Sequence, residues 1–193
     1  MTGTELEIKL YSGMSNMLLN ETINQALQKK LEEVEPPKFS KDDTDFAREI
    51  ARTIPPDSFE ESAASYGLDA EAITAMKKML LHEGVLPPFK SEIVQPGSTD
   101  VGDVSWATPT GQIVTTCMAL GTPGHSWQTV AQSRMGIGHK GMLYAGKVLA
   151  LAATEFMQKP ELVRKAKEEY KKLREALAYV SPIPEGLEPP LNI

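Results

Sequence analysis

Residues 112–128 read QIVTTCMALGTPGHSWQ, a β-branched apolar run followed by a glycine-containing loop. The run is bounded by Gly111 and Gly121, and it predicts a buried strand over Gln112–Leu120. His125 lies in the loop that leaves the end of this strand, which is where open α/β sheets place their ligand sites. A neutral imidazole on a loop is a good metal ligand. The sequence therefore makes His125 a candidate site residue, although one histidine is not a site.

A second strand is predicted near the start of the chain, where Glu5–Tyr11 alternates polar and apolar side chains. Elsewhere helical periodicity dominates, and the caps that it predicts are Asn20, Ser40 with Asp43, Asp69, and Pro160 at a first helical position. Helices are predicted over residues 18–34, 41–54, 68–84, 140–157 and 160–180. The helix over 140–157 is apolar on most sides, so we expect it to be buried. The predicted fold class is α/β, rich in helices, with too few strands for a complete sheet.

Composition excludes several classes of protein. The chain has 193 residues and a mass of 21.1 kDa, with 41% hydrophobic and 24% charged residues, as in ordinary globular proteins. A net charge of −6 argues against nucleic acid as a partner, because phosphate contacts need clustered Lys and Arg. No apolar stretch approaches the ~20 residues of a membrane span, and no signal peptide is evident. A single cysteine indicates a reducing compartment, so we expect a cytoplasmic protein.

For the remaining candidates a structural explanation carries more weight than a functional one. His82 lies near a predicted helix end, where partial positive charge suits the helix dipole. His139 lies at the start of the helix over 140–157, and a junction of loop and helix can face a pocket. Asp100 and Asp103 are spaced as a carboxylate pair, but short polar side chains also satisfy their own loop backbone. Cys117 is expected to be a small buried apolar residue.

Three motifs carry a resemblance to a known family. They are GSTDVGDVSW at residues 97–106, GTPGHSW at residues 121–127 and HKGMLYAGKVLA at residues 139–150. Together they resemble the zinc-dependent amidohydrolases and peptidases that include aminoacylases and glutamate-releasing carboxypeptidases. Within that family the chain is most similar to the p-aminobenzoyl-glutamate hydrolases. The similarity is clearest over residues 97–168.

The resemblance implies a fold, a cofactor and a set of site residues. Residues 1–12 would be the final strand of a lid or dimerisation domain, and residues 13–193 the C-terminal part of a metallohydrolase catalytic domain. His125 matches the family's last ligand to a divalent metal, zinc or manganese. Ser98 and Asp100 match the loop near the substrate, and His139 is a further candidate for substrate contact because of its position.

Several elements of the family pattern have no counterpart. Its His-x-Asp ligand pair, bridging aspartate and Glu-Glu pair are not identifiable here, so no catalytic residue is assigned. We therefore expect the C-terminal part of an enzyme that hydrolyses the amide bond of N-acyl or N-aroyl amino acids and is inactive alone. Its partner would be a missing N-terminal half or a second polypeptide.

Two other hypotheses stay open at this point. The first is a non-catalytic interaction module of the same ancestry, which would bury its apolar faces in a homo-oligomer. The second is a small independent enzyme centred on Asp100, Asp103 and His125. Metal content and oligomeric state distinguish these possibilities.

Overall fold

The computed structural model of the chain describes residues 2–88, 97–188 and 191. These residues contain eight α-helices, separated by turns and irregular segments. They are α1 (Glu21–Glu33), α2 (Lys41–Ala51), α3 (Ser58–Ser65), α4 (Ala70–Met76), α5 (Val101–Ala107), α6 (Trp127–Ser133), α7 (Gly136–Gln158) and α8 (Pro160–Ala176).

Local capping chemistry fixes several of the helix starts, and the predicted caps are confirmed. The Asn20 side chain accepts a hydrogen bond from the backbone N–H of Ile23 at 3.1 Å. Ser40 and Asp43 form a reciprocal capping box at the start of α2. The side chain of Asp69 caps α4, and Pro160 opens α8.

Helix α7 is the element around which the others pack. It lies against α1, α6 and α8, and its Ile137 and Val148 side chains are fully buried. The Tyr144 hydroxyl donates to the carbonyl of Leu31 at 2.7 Å and so ties α7 to α1. A small core of Ala47, Leu81, Ala119 and Ile137 joins α2 to the first turn of α7.

The predicted strands do not form, and the residues that the structure describes contain no β-sheet. Their one β-type contact is an isolated parallel bridge between Leu19 and Thr110. The segment Glu5–Tyr11 has no regular structure, and it exposes Leu6 and Ile8 by 85% and 83%. The segment Gln112–Leu120 is likewise not a strand. A strand needs a hydrogen-bonded neighbour, and no described segment supplies one. The α/β class and the lid strand are therefore not observed, whereas the expected richness in helices is.

The helices also depart from prediction at particular points. The helix expected over 68–84 ends at Met76, and beyond it the Leu80 carbonyl accepts a hydrogen bond from the Leu120 N–H at 3.0 Å. Helix α5 forms inside a segment predicted to be a loop, and the sequence pattern predicted no helix for α3 or α6.

Crossing a membrane requires a helix that is both long and apolar. None of the helices in the described residues combines the length and the apolar character that a bilayer span requires.

Candidate functional site

The loop between Leu120 and α6 carries the candidate ligand, and its own hydroxyl groups hold it in shape. The Ser126 hydroxyl donates to the Pro123 carbonyl at 2.7 Å and accepts from the Thr129 N–H at 3.3 Å, which caps α6. The Thr129 hydroxyl donates to the same Pro123 carbonyl at 2.8 Å. The loop conformation is therefore set independently of the His125 side chain.

A buried glutamine anchors this loop from beneath. Gln132 is fully buried, and its Oε1 accepts from the Ala119 N–H at 2.7 Å. Its Nε2 donates to the Thr122 hydroxyl at 3.0 Å and to the Gln128 carbonyl at 3.1 Å. Sequence reasoning missed Gln132, and the only available signal was its place four residues after Gln128. Because every polar atom of the amide is satisfied, Gln132 fixes the loop without itself facing a ligand.

His125 lies at the exposed tip of the loop with an unusual backbone. Its φ angle is +54°, and among the described residues it is the only one other than glycine with positive φ. The left-handed region costs an L-residue about 1–2 kcal/mol. Such residues persist only where the surroundings determine them, and they concentrate at functional sites. His125 is thus an exposed residue on a strained turn.

The other predicted site residues are exposed, and two of them lie close together in the sequence, beside α5. Ser98 precedes α5, Asp100 lies at the start of α5 without a side-chain capping bond, and His139 lies in the first turn of α7. No hydrogen bond or ion pair joins any of them to His125 or to one another within the part of the chain that the structure describes. Their assignment to one site stays a prediction.

Asp103 has a structural role in the folded chain. Its Oδ1 accepts from the Tyr179 hydroxyl at 2.8 Å and its Oδ2 from the Ser15 N–H at 3.3 Å. The bond from Tyr179, followed by the bonds from Ser15, lowers the pKa of Asp103 against the opposing effect of burial. Asp103 thereby ties the C-terminal segment and the N-terminal segment to α5. It is not free to form a catalytic pair with Asp100.

His82 and Cys117 are both partly buried. Burial lowers the pKa of His82, and its carbonyl accepts from the Thr116 hydroxyl at 2.7 Å. His82 lies beyond the end of α4, so the expected helix-dipole contact does not arise. Cys117 is half-buried rather than fully buried.

The side chains present do not make a complete metal centre by themselves. The described residues contain no group of three or more His, Cys, Asp or Glu side chains that could hold an ion. No catalytic step through a metal therefore follows from these residues alone.

A shallow groove of about 340 Å³ borders the start of the loop. Its walls are the end of α2, the start of α3 and residues 77–80, and Leu120 and Gly121 form one edge. An ion pair between Lys77 and Glu60 crosses it. His125 is not among its lining residues, so the groove and the candidate ligand are separate features.

Comparison with known proteins gives an independent result. A curated relative, the B subunit of the p-aminobenzoyl-glutamate hydrolase of Escherichia coli (strain K12), is 31% identical to the chain over 194 aligned residues. The match covers 98% of this chain but 40% of that protein, so the chain spans less than half the length of the relative. No family model and no solved structure matches the chain. The resemblance predicted from the motifs is confirmed: along nearly all of its own length, the chain is similar to part of a p-aminobenzoyl-glutamate hydrolase.

Proposed function

We propose that this chain is one portion of a metal-dependent amidohydrolase that cleaves N-acyl or N-aroyl amino acids, with His125 as one ligand of its divalent metal, zinc or manganese. The other ligands and the catalytic carboxylate come from a portion that corresponds to the rest of the relative. In this proposal residues 13–193 belong to the catalytic domain and residues 1–12 to a lid. Residue 1 and residues 89–96, 189–190 and 192–193 of these two ranges lie outside the described residues.

The observation that carries the proposal is the backbone of His125. A strained, exposed histidine contributes nothing to the stability of this chain, since its side chain has no partner among the described residues. Its loop is nevertheless fixed by Ser126, Thr129 and Gln132. A metal site divided between two portions requires each portion to hold its own ligands in place. His125, on its fixed loop and without the other ligands, meets that requirement for one portion.

The substrate-facing residues follow from the same proposal. Ser98, Asp100 and His139 are exposed, and Asp100 makes no capping bond that would occupy its carboxylate. In the assembled enzyme we expect these three to contact the substrate amide or the amino-acid portion. The relative's name supports an N-aroyl amino acid as the substrate class, and its designation as one subunit of a hydrolase supports assembly with another polypeptide. We propose the cytoplasm as the location.

A second candidate function has one observation in its favour. The chain exposes many large apolar side chains, which suits a non-catalytic interaction module that forms a homo-oligomer. If the chain is such a module, we expect it to bind no metal and to hydrolyse no substrate under any condition.

The test combines this chain with a polypeptide made of the remaining 60% of the E. coli relative. Metal content is measured by plasma mass spectrometry on the chain alone and on the mixture, and hydrolysis of p-aminobenzoyl-glutamate is assayed in parallel. We expect zinc or manganese to be bound, and hydrolysis to occur, in the mixture alone. His125→Ala should remove the metal, whereas His139→Ala should retain the metal and reduce hydrolysis.

Two results would contradict the proposal. One is hydrolysis by this chain alone. The other is an unchanged metal content in the His125→Ala mixture. A metal-free mixture without activity, together with a stable homo-oligomer of this chain, would favour the interaction module.

A further inference from the structure

Helix α5 is a short element with little apolar packing. Of its seven residues only Gly102 and Ser105 are buried, whereas Val101 and Val104 are exposed by 39% and 50%. A helix of this length does not persist alone in water, and no large side chain of α5 is fully buried. Contacts from other parts of the chain must therefore hold α5 in place.

Residues 15–18 hold one side of α5. The Ser105 hydroxyl accepts from the Leu18 N–H at 2.7 Å and donates to the Gly102 carbonyl at 2.5 Å. A Cβ atom built on Gly102 would collide with the Ser15 carbonyl oxygen, so the two backbones approach each other closely at this glycine. Directed hydrogen bonds and close backbone contact, rather than burial of large apolar side chains, fix this side of the helix.

Further contacts come from α8 and from the segment that follows it. We call Asp103, Trp106, Arg174 and Tyr179 the Tyr179 cluster. The Tyr179 hydroxyl donates to Oδ1 of Asp103 at 2.8 Å, and the Tyr179 ring centroid lies 5.6 Å from that of Trp106. The guanidinium carbon of Arg174 lies 5.3 Å from the Trp106 ring centroid and 5.9 Å from the Tyr179 ring centroid. Nη1 of Arg174 is buried without a hydrogen-bond partner among the described residues, so the guanidinium is held there by the two rings.

Helix α5 in turn holds the loop that carries Ser98 and Asp100. The Gly102 N–H donates to the Thr99 carbonyl at 2.9 Å, and the Val104 N–H donates to the Asp100 carbonyl at 3.5 Å. These bonds join the loop backbone to the first turn of α5. A displacement of the helix therefore displaces the loop with it.

We propose that Tyr179 is a positioning residue: its bond to Asp103 holds α5, and α5 fixes the positions of Ser98 and Asp100. This inference rests on the proposed function, in which Ser98 and Asp100 contact the substrate. Polar groups that bind a substrate need bonds from residues behind them to stay in position. Asp103 and Tyr179 are 76 residues apart in the sequence, so the segment after α8 supplies this support to a helix that has little packing of its own.

The first experiment measures the loop in the chain alone. Tyr179→Phe removes the hydroxyl and keeps the ring, and hydrogen exchange is followed at the amides of Gly102 and Val104, which bond to the loop. We expect exchange at both amides to become about tenfold faster, because α5 loses a hydrogen bond to a carboxylate. Tyr66→Phe is the matched control, since Tyr66 is also exposed and its hydroxyl makes no hydrogen bond with the described residues. It should leave both rates unchanged.

The second experiment measures the effect on the substrate. The chain is mixed with the polypeptide made of the remaining 60% of the E. coli relative, and hydrolysis of p-aminobenzoyl-glutamate is followed. Tyr179→Phe should raise KM about tenfold and leave kcat and metal content unchanged. A merely structural role would lower the amount of active enzyme, and so kcat, without raising KM. In an Asp103→Ala background, Tyr179→Phe should have no further effect, because the hydroxyl acts through that carboxylate.

Three results would overturn the inference. They are equal exchange rates in Tyr179→Phe and Tyr66→Phe, an active mixture in which Tyr179→Phe does not raise KM, and an undiminished effect of Tyr179→Phe in the Asp103→Ala background. The two proposals fail separately. A mixture of the unaltered chain that does not hydrolyse p-aminobenzoyl-glutamate contradicts the proposed function, and the exchange at Gly102 and Val104 still decides whether Tyr179 holds the loop.

Discussion

The fold holds the backbone of His125 in a conformation that is energetically unfavourable for a residue with a side chain. Its positive φ is imposed by the hydroxyl groups of Ser126 and Thr129 and by the buried amide of Gln132. No contact of the imidazole offsets that conformation among the described residues. The sequence predicted His125 as the candidate ligand from its position after an apolar run, but the backbone strain could not be predicted, because it arises from hydrogen bonds that form only in the folded loop.

The strain can be measured by substituting glycine. His125→Gly should leave the free energy of unfolding unchanged or raise it by up to about 1 kcal/mol, because glycine adopts positive φ without steric cost but loses more chain entropy on folding. The control is His139→Gly, an equally exposed change at a helical position, which should lower the free energy of unfolding by about 0.5 kcal/mol. Urea unfolding of the two variants checks both values. A loss at His125 larger than the loss at His139 would contradict this account.

Among the helices and strands, the sequence predicted correctly those features that depend on neighbouring residues in the chain. It failed for features that depend on contacts with residues far away in the sequence. The caps at Asn20, Ser40 and Asp69 depend on atoms within four residues, so they could be recognised in the sequence. The strand expected over Gln112–Leu120 depends on a neighbour that no described segment provides. The helix expected over 68–84 ends at Met76, and beyond it the Leu80 carbonyl is bonded to Leu120, a residue far along the chain.

The start of α7 and the helices that were not predicted show the same limit of sequence-based prediction over shorter distances along the chain. Gly136, Gly138 and Gly141 weaken the helical pattern, so the sequence placed the start of α7 at Lys140 instead of Gly136. Each of these glycines would collide with a neighbouring residue if it carried a Cβ, so their presence is a packing requirement. Ser126 did offer a cap for α6 that the sequence-based prediction passed over.

Glu155 makes the contact between α1 and α7 sensitive to pH. A hydrogen bond from Lys159 at 2.7 Å and then the contact with Lys30, an ion pair at 2.8 Å, hold the pKa of Glu155 at about 2, below its usual 4.5. Because the folded-state pKa is lowered, this contribution to stability is complete above about pH 4.5 and is lost as the pH falls from there towards 2.

Urea unfolding as a function of pH tests the role of Glu155. The unaltered chain should be more stable than Glu155→Gln near pH 6, and the two should converge as the pH falls towards 2. Glu168→Gln, at an exposed position on α8, is the control and should follow the unaltered chain throughout. Parallel curves for Glu155→Gln and the unaltered chain would show that the ion pairs contribute nothing.

In the described part of the molecule, helices pack around α7, and the irregular segment at residues 2–10 contributes little to that packing. Residues 2–10 are all exposed, and their polar contacts join only residues within that segment. Beyond them the chain is attached, since the Ser15 N–H binds Asp103 and the Trp106 indole donates to the Asn16 carbonyl at 2.7 Å. The boundary between unattached and attached chain therefore lies between residues 10 and 15.

Truncation tests that boundary. A chain that lacks residues 1–10 should unfold with a free energy within about 0.5 kcal/mol of the full chain, because it loses no packed surface. A chain that lacks residues 177–193 should be less stable, because Tyr179 loses its hydrogen bond to Asp103 and its ring contact with Trp106. Thermal unfolding of both truncated chains provides the comparison. Equal losses from the two truncations would contradict it.

Cys117 gives the protein a built-in chemical reporter. It is the only thiol in the chain, it is half-buried, and it belongs to residues 113–118, which pack against Gly141 of α7. Because the thiol is half-buried, the rate at which a maleimide or disulfide reagent labels it depends on how residues 113–118 lie against the helix. Anything that clamps the segment in place will slow the labelling, with no mutation or added dye required.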